Sequence, residues 1–167
     1  SASGSIITNA YEVFFKDSAT AGSSTINNFG SITFKDSATA GSAQINNFSG
    51  FVQFKDNATA GNSKIESFDG VVEFRGRSSA DNATISVSGV ALAAFYGRSN
   101  GGNAQFITNG VPSTVDFSQT NGPGDNGIVT AGSIEGDGAF IIGTNNLIVG
   151  SNNLSTQVTG LIDVCGC

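Results

Sequence analysis

The side chains best placed to do chemistry in this sequence recur at regular steps. Lys16-Asp17, Lys35-Asp36 and Lys55-Asp56 repeat a cation next to a carboxylate. Stacked in columns, they would make a row of ligands for an anionic or polar glycan. The plainer reading is solvated edge charge that discourages lateral aggregation, since surface ion pairs add little stability. Asp36 and Asp56 raise a second possibility, a carboxylate pair that cleaves polysaccharide. That chemistry needs two carboxyls at a defined separation, one of them with a raised pKa. These pairs come from simple repetition, whereas active sites tend to break a local rule for the sake of chemistry. The rule breaks only at Arg75, Arg77 and Asp81, with Arg98 below. A catalytic or saccharide-binding role is open there, against simple decay of the repeat.

Other candidates are thinner. Thr20, Thr39 and Thr59 recur cleanly, as they would on a flat ice-binding array, but a glycine follows each within two residues. The aspartates match no EF-hand loop or calcium-binding nonapeptide repeat. Gly101-Gly102 lacks the strand and lysine of a phosphate cradle. Asn57-Ala58-Thr59, Asn82-Ala83-Thr84 and Asn153-Leu154-Ser155 fit glycosylation acceptors by chance. Cys165 and Cys167 flank one residue, and a disulfide between them would be strained. A crosslink to another subunit, a weak metal site and an engineered tail are the alternatives. No cofactor, metal or catalytic residue is expected.

Composition narrows the classes further. The 167 residues carry 7 Lys+Arg against 13 Asp+Glu, a net charge of −6, and no His or Met. Without His, triads and His-ligated metals are excluded. So few cations make a nucleic-acid face improbable, and no apolar run is long enough to span a bilayer. The missing Met makes Ser1 a processed end or an excised boundary.

The elements that must position these residues are repeats. Phe15-Lys16-Asp17-Ser18-Ala19-Thr20-Ala21-Gly22 returns from Phe34 and Phe54, worn from Phe74 and weaker from Phe95, in steps of 19, 20, 20 and 21 residues. Ile26, Ile45, Ile65 and Ile85 form a second column, with Phe106 as a fifth member. Asn28 and Asn47 form a third, and Phe29, Phe48 and Phe68 a fourth. Ile7-Thr8-Asn9 ends a preceding repeat. Short alternating segments such as Ser31-Ile32-Thr33-Phe34, divided by Gly, Asn, Asp and Ser, signal half-buried strands and turns. One repeat buries too little to fold alone, whereas stacked coils share an interior.

The predicted fold is all-β: a single-stranded parallel β-helix, or β-solenoid, of about 20 residues per coil, right-handed by the usual crossover preference. Ile32, Phe34, Ala38, Ala43 and Ile45 point inward, and Lys35, Thr39 and Gln44 outward. Stacked phenylalanines (Phe15, Phe34, Phe54, Phe74) and isoleucines fill the core. Asn28 and Asn47 hydrogen-bond from coil to coil at a corner. Gly22, Gly41 and Gly61 take positive φ. Regular coils occupy 1–110 and looser coils 111–163, with an exposed loop at 118–127. A Cys-bearing tail follows at 164–167.

The stretches from Asp36 to Ile45 and from Asp56 to Ile65 resemble the repeats of bacterial autotransporter passenger domains. Val129–Gly138 and Leu147–Ile162 are similar to recurrent stretches of the same family. The resemblance covers residues 7–162. It implies a right-handed β-helix secreted by, or displayed on the surface of, a Gram-negative bacterium, acting as a stalk or adhesive. The family continues into further repeats and a membrane-spanning barrel, where this sequence stops at Val164-Cys165-Gly166-Cys167. From the residues and the resemblance together, the expected function is non-enzymatic and structural. The expected partners are further copies, joined laterally or end to end into filaments, and cell-surface or glycan ligands.

Overall fold

A computed structural model describes residues 4–164. The strands are β1 (Ile6–Asn9), β2 (Glu12–Phe15), β3 (Thr25–Asn28), β4 (Ser31–Phe34), β5 (Gln44–Phe48), β6 (Phe51–Phe54), β7 (Lys64–Phe68), β8 (Val71–Phe74) and β9 (Thr84–Ser88). They continue as β10 (Leu92–Gly97), β11 (Gln105–Asn109), β12 (Thr114–Thr120), β13 (Ile128–Thr130), β14 (Ser133–Gly136), β15 (Ala139–Ile141), β16 (Asn146–Ile148) and β17 (Leu161–Asp163). Every pairing is parallel. One sheet runs β1-β3-β5-β7-β9-β11-β14, a second runs β2-β4-β6-β8-β10-β12-β15-β17, and a short third pairs β13 with β16. Each of the first seven storeys gives one strand to each long sheet, so equivalent side chains lie directly above one another. The protein is a parallel β-solenoid of about eight coils, as the repeat period predicts.

A third side is narrower. Thr20, Thr39, Thr59, Ser79 and Asn100 bridge successively as single residues. Their neighbours Ala21, Ala40, Ala60 and Ala80 face the interior and are fully buried. Small side chains suit this wall because the opposite sheet fills the interior with rings. Phe15, Phe34, Phe54, Phe74, Phe95 and Phe117 stack in sequence with centroids 4.6–4.8 Å apart. That distance matches the inter-strand spacing, so the backbone ladder dictates ring stacking. Ile26, Ile45, Ile65, Ile85 and Phe106 form the facing column in register. All five predicted inward residues, Ile32, Phe34, Ala38, Ala43 and Ile45, are fully buried. Lys35, Thr39 and Gln44 lie part-exposed on the outside.

The coil length changes at one place only through the first six storeys. From the Phe column to the start of the next strand the step is fixed at ten residues, from Phe15 to Thr25 through Phe95 to Gln105. The corner leading back holds two residues between Asn28 and Ser31. It holds three between Asn47 and Phe51, four between Val87 and Leu92, and five between Thr108 and Thr114. Added residues take left-handed turns: Ser49, Asp69, Gly89 and Gly110 have φ of 57° to 80°. Asp, Gly and small polar residues tolerate that region best.

The loop boundary differs from the expectation. Ser118–Thr120 belong to β12, and Thr120 is buried, so the exposed excursion spans only 121–127. Thr120 Oγ1 donates to the Ser99 carbonyl at 2.7 Å, which holds this polar segment in the ladder.

Candidate functional surfaces

The Lys-Asp columns sit at a corner where the backbone turns left-handed. Asp17, Asp36 and Asp56 have φ of 58°, 61° and 58°. Asp36 Oδ2 accepts the Asp17 N–H at 3.1 Å, and Asp56 Oδ2 accepts the Asp36 N–H at 3.3 Å. Asp36 and Asp56 therefore each tie their turn to the preceding coil. Gly76 and Gly97 occupy the same position in the next two coils with φ of 72° and 68°. Lost aspartates give way to the residue that best tolerates the geometry. Lys35 Nζ lies 3.9 Å from Asp36 Oδ2 on the exposed side, a loose surface pair.

The worn repeat is held together by its own charges. Arg75 donates from Nε and Nη2 to the two Glu73 oxygens at 2.9 and 3.2 Å, and its guanidinium lies 4.1 Å over the Tyr96 ring. The hydrogen bond to Glu73 raises the Arg75 pKa further above its ordinary value. Arg98 Nη2 donates to Asp125 Oδ2 at 2.7 Å and pins the 121–127 loop. Hydrogen bonds from Arg98 and then Asn121 hold the Asp125 carboxyl below the ordinary range. Asp81 occupies the glycine column of Gly22, Gly41, Gly61 and Gly102, with φ of 55°. Its N–H donates to Ser79 Oγ, and its Oδ1 accepts from Asn82 at 3.1 Å. These contacts make Asp81 a corner residue of the worn coil.

Thr20 and Thr39 also work within the corner. Their Oγ1 atoms accept the Gly22 and Gly41 N–H at 2.9 and 3.0 Å, and Thr59 Oγ1 donates to Thr39 Oγ1 at 3.1 Å. The hydroxyls are spent on holding corners, where an ice-binding array needs them presented outward. Gly22, Gly41 and Gly61 take positive φ as expected.

The Asn column is an internal hydrogen-bond ladder. Asn9 donates to Asn28, Asn28 to Asn47 and Asn47 to Ser67 Oγ, at 2.7, 2.7 and 3.0 Å. Asn47 Nδ2 also reaches the Gly50 carbonyl at 3.0 Å. The packing at this turn leaves no room for a larger residue, because a Cβ on Gly50 would lie 2.5 Å from Asn28 Nδ2.

Outside that ladder lies a surface the sequence only half announced. Phe29, Phe48 and Phe68 stack at 5.0 and 5.5 Å, but on the exterior. Beside them Phe51, Val71 and Leu92 form a second outward column in register. The phenylalanines are 56%, 36%, 47% and 42% exposed at Phe29, Phe48, Phe51 and Phe68. Phe29, Phe48 and Phe68 repeat visibly in the sequence, but an exterior stack and an interior stack leave the same periodic trace. Phe51 leaves no periodic trace, because Ser31 precedes it in the column and Val71 follows.

Two shallow apolar clefts of about 330 and 340 Å³ open on the last described storeys. They share Ile134 and Val149, and the second is also lined by Ile142, Leu147, Ile162 and Val164. Cys165 and Cys167 lie outside the described residues. Comparison with protein-family models, curated proteins and solved structures found no match, so none bears on the resemblance to autotransporter passengers.

Proposed function

We propose that the chain is a rigid, non-enzymatic β-solenoid module, secreted by or displayed on a Gram-negative cell, that serves as a stalk, adhesive or self-associating surface. One observation carries the reading: the six-ring interior stack from Phe15 to Phe117 is continuous, and the polar side chains that repeat around it are spent on holding corners. Such an architecture supplies length and stiffness, and it presents repeated surface. Cell-surface or glycan ligands and further copies of the chain are its proposed partners, and it needs no cofactor. Incubating the purified chain with a polysaccharide panel tests this. Binding without turnover, or no reaction, agrees with the proposal. Turnover lost on Asp81→Asn overturns it.

A second reading, a filament subunit, draws on the column register. Val13, Ile32, Val52, Val72, Ala93, Val115, Phe140 and Ile162 form one column through all eight storeys. Apolar side chains at the terminal storeys, among them Ile6, Phe14, Leu161, Ile162 and Val164, are exposed. A further coil from another copy would extend the ladder and cover them. Electron microscopy separates rods of about 40 Å, eight coils at the inter-strand spacing, from long fibres. Reducing against non-reducing gels show whether Cys165 or Cys167 joins the subunits.

A further inference from the structure

We propose that the 121–127 loop is a site of spontaneous asparagine deamidation, gated by the Arg98–Asp125 contact, and that reaction to isoaspartate at Asn121 or Asn126 holds the loop open.

The chemistry belongs to asparagine followed by glycine, which has no side chain to hinder ring closure. The glycine nitrogen gives up its proton to base and bonds to the asparagine Cγ, and the side-chain amide takes up a proton and leaves as ammonia. Water then opens the succinimide. Opening at Cγ gives aspartate, and opening at the α-carbonyl gives isoaspartate, which carries one extra carbon in the main chain.

The sequence holds four such pairs: Asn100-Gly101, Asn109-Gly110, Asn121-Gly122 and Asn126-Gly127. The fold treats them differently. Asn100 commits both ends of its amide to Thr130: Nδ2 donates to Thr130 Oγ1 and Oδ1 accepts the Thr130 N–H, each at 2.8 Å. Asn109 ends β11 in register with Ser88, and its amide donates to Ser86 Oγ at 2.7 Å. The Gly110 N–H is spent on Asp137 Oδ1. Ring closure turns the asparagine out of the extended form, which the β9–β11 ladder resists.

Asn121 and Asn126 are exposed and lie outside the strands, so their protection is the closure of the loop itself. The Gly127 N–H donates to the Asn121 carbonyl at 2.8 Å, and the Gly122 N–H to Thr120 Oγ1 at 3.1 Å. Asn121 Nδ2 donates to Asp125 Oδ1 at 3.0 Å, while Arg98 holds the other carboxylate oxygen at 2.7 Å. An exposed segment with few buried apolar contacts opens at low free energy, and opening here frees both glycine nitrogens.

The product does not reclose. The Asn121 carbonyl accepts the Asn126 and Gly127 N–H groups, at 3.1 and 2.8 Å. An extra backbone carbon at position 121 moves that acceptor, and one at position 126 moves the Gly127 donor. Reaction at Asn121 also turns the donor facing Asp125 into a carboxylate, like charge against like. Either event opens the loop around the other site, so the second deamidation follows faster than the first.

Incubation of the 167-residue chain at mildly alkaline pH, read by peptide mapping and mass spectrometry, tests the proposal. Asn121 and Asn126 should convert, mostly to isoaspartate, while Asn100 and Asn109 keep their amides. In urea all four should convert at similar rates. Arg98→Gln should speed conversion in the loop about two- to five-fold, the change that loss of an exposed ion pair makes to an opening equilibrium. A second measurement stands even if that variant misfolds: amide exchange at Asn126 and Gly127 should be faster in chains carrying isoaspartate at position 121 than in unreacted chains. No conversion in the loop, conversion of Asn100 or Asn109 at the loop's rate in the folded chain, an unchanged rate in folded Arg98→Gln, or unchanged exchange in the converted chain overturns the proposal.

Discussion

Asn28 Nδ2 lies 2.7 Å from Asn47 Oδ1 across nineteen residues of chain, and the same nitrogen lies 3.1 Å from the Phe51 carbonyl. One buried amide thus binds two coils and closes the turn of the upper one. Asn47→Leu should leave the Asn28 amide, Ser67 Oγ and the Gly50 carbonyl short of a partner. A loss of about 2–3 kcal/mol is expected, since each orphaned buried group costs about 1–3 kcal/mol before relaxation. Urea unfolding measures it.

The ring stack gives a larger effect. Phe54 has a ring 4.8 Å away on each side and is fully buried. Phe54→Ala should cost about 3–5 kcal/mol. Because each coil touches only its neighbours, the loss should split unfolding into two transitions, one for each side of the gap. Calorimetry would show a single transition if the rod cooperates end to end.

Ser63 points the other way. It is buried, its Oγ has no partner, and it stacks between Ala43 and Ala83 in the same column. Ser63→Ala should stabilise the chain by about 0.5–1 kcal/mol by removing an uncompensated hydroxyl. A lower midpoint in urea for the variant would show that the hydroxyl is satisfied in solution.

The left-handed corner separates two explanations of the Asp column. If backbone geometry governs it, Asp56→Ala should cost up to about 1 kcal/mol, because alanine tolerates the left-handed region less well than aspartate. Asp56→Gly should cost less, because Gly76 and Gly97 already serve there. If charge governs it, the two variants should behave alike. Thermal melts of the pair decide.

Acid should release the 121–127 loop. The Asp125 carboxyl is held below its ordinary value by Arg98, so the folded state binds its proton more weakly than the unfolded one. The contact is then complete above the ordinary carboxylate value of about 4 and is lost as pH falls through the depressed one. Amide exchange at Asn126 should quicken below that range, and Arg98→Gln should make it fast at every pH.

Much of this was legible in the sequence, for a physical reason. In a solenoid, equivalent residues meet equivalent neighbours, so periodicity translates directly into contacts. Phe34 over Phe54, Ile45 over Ile65 and Asn28 over Asn47 all follow from the repeat alone. The translation failed where the corner lengthens. Phe117 follows Phe95 by 22 residues without the Lys-Asp text behind it, so nothing in the period marks it as the sixth ring. The aspartates look like surface charge in the sequence because repetition reveals position but not φ. The Arg98–Asp125 pair joins residues that belong to no shared column, so no period could announce it.

The corner that grows from two residues to five while the other path stays at ten has an evolutionary consequence. It works as an expansion joint. Insertions there leave the ring stack and both ladders in phase, so duplicated coils can diverge in length and outer chemistry without disturbing their packing. Variation is channelled onto one seam of the rod, the same seam that carries Phe48 and Phe51, and new specificities can be tried there while the interior stays constant.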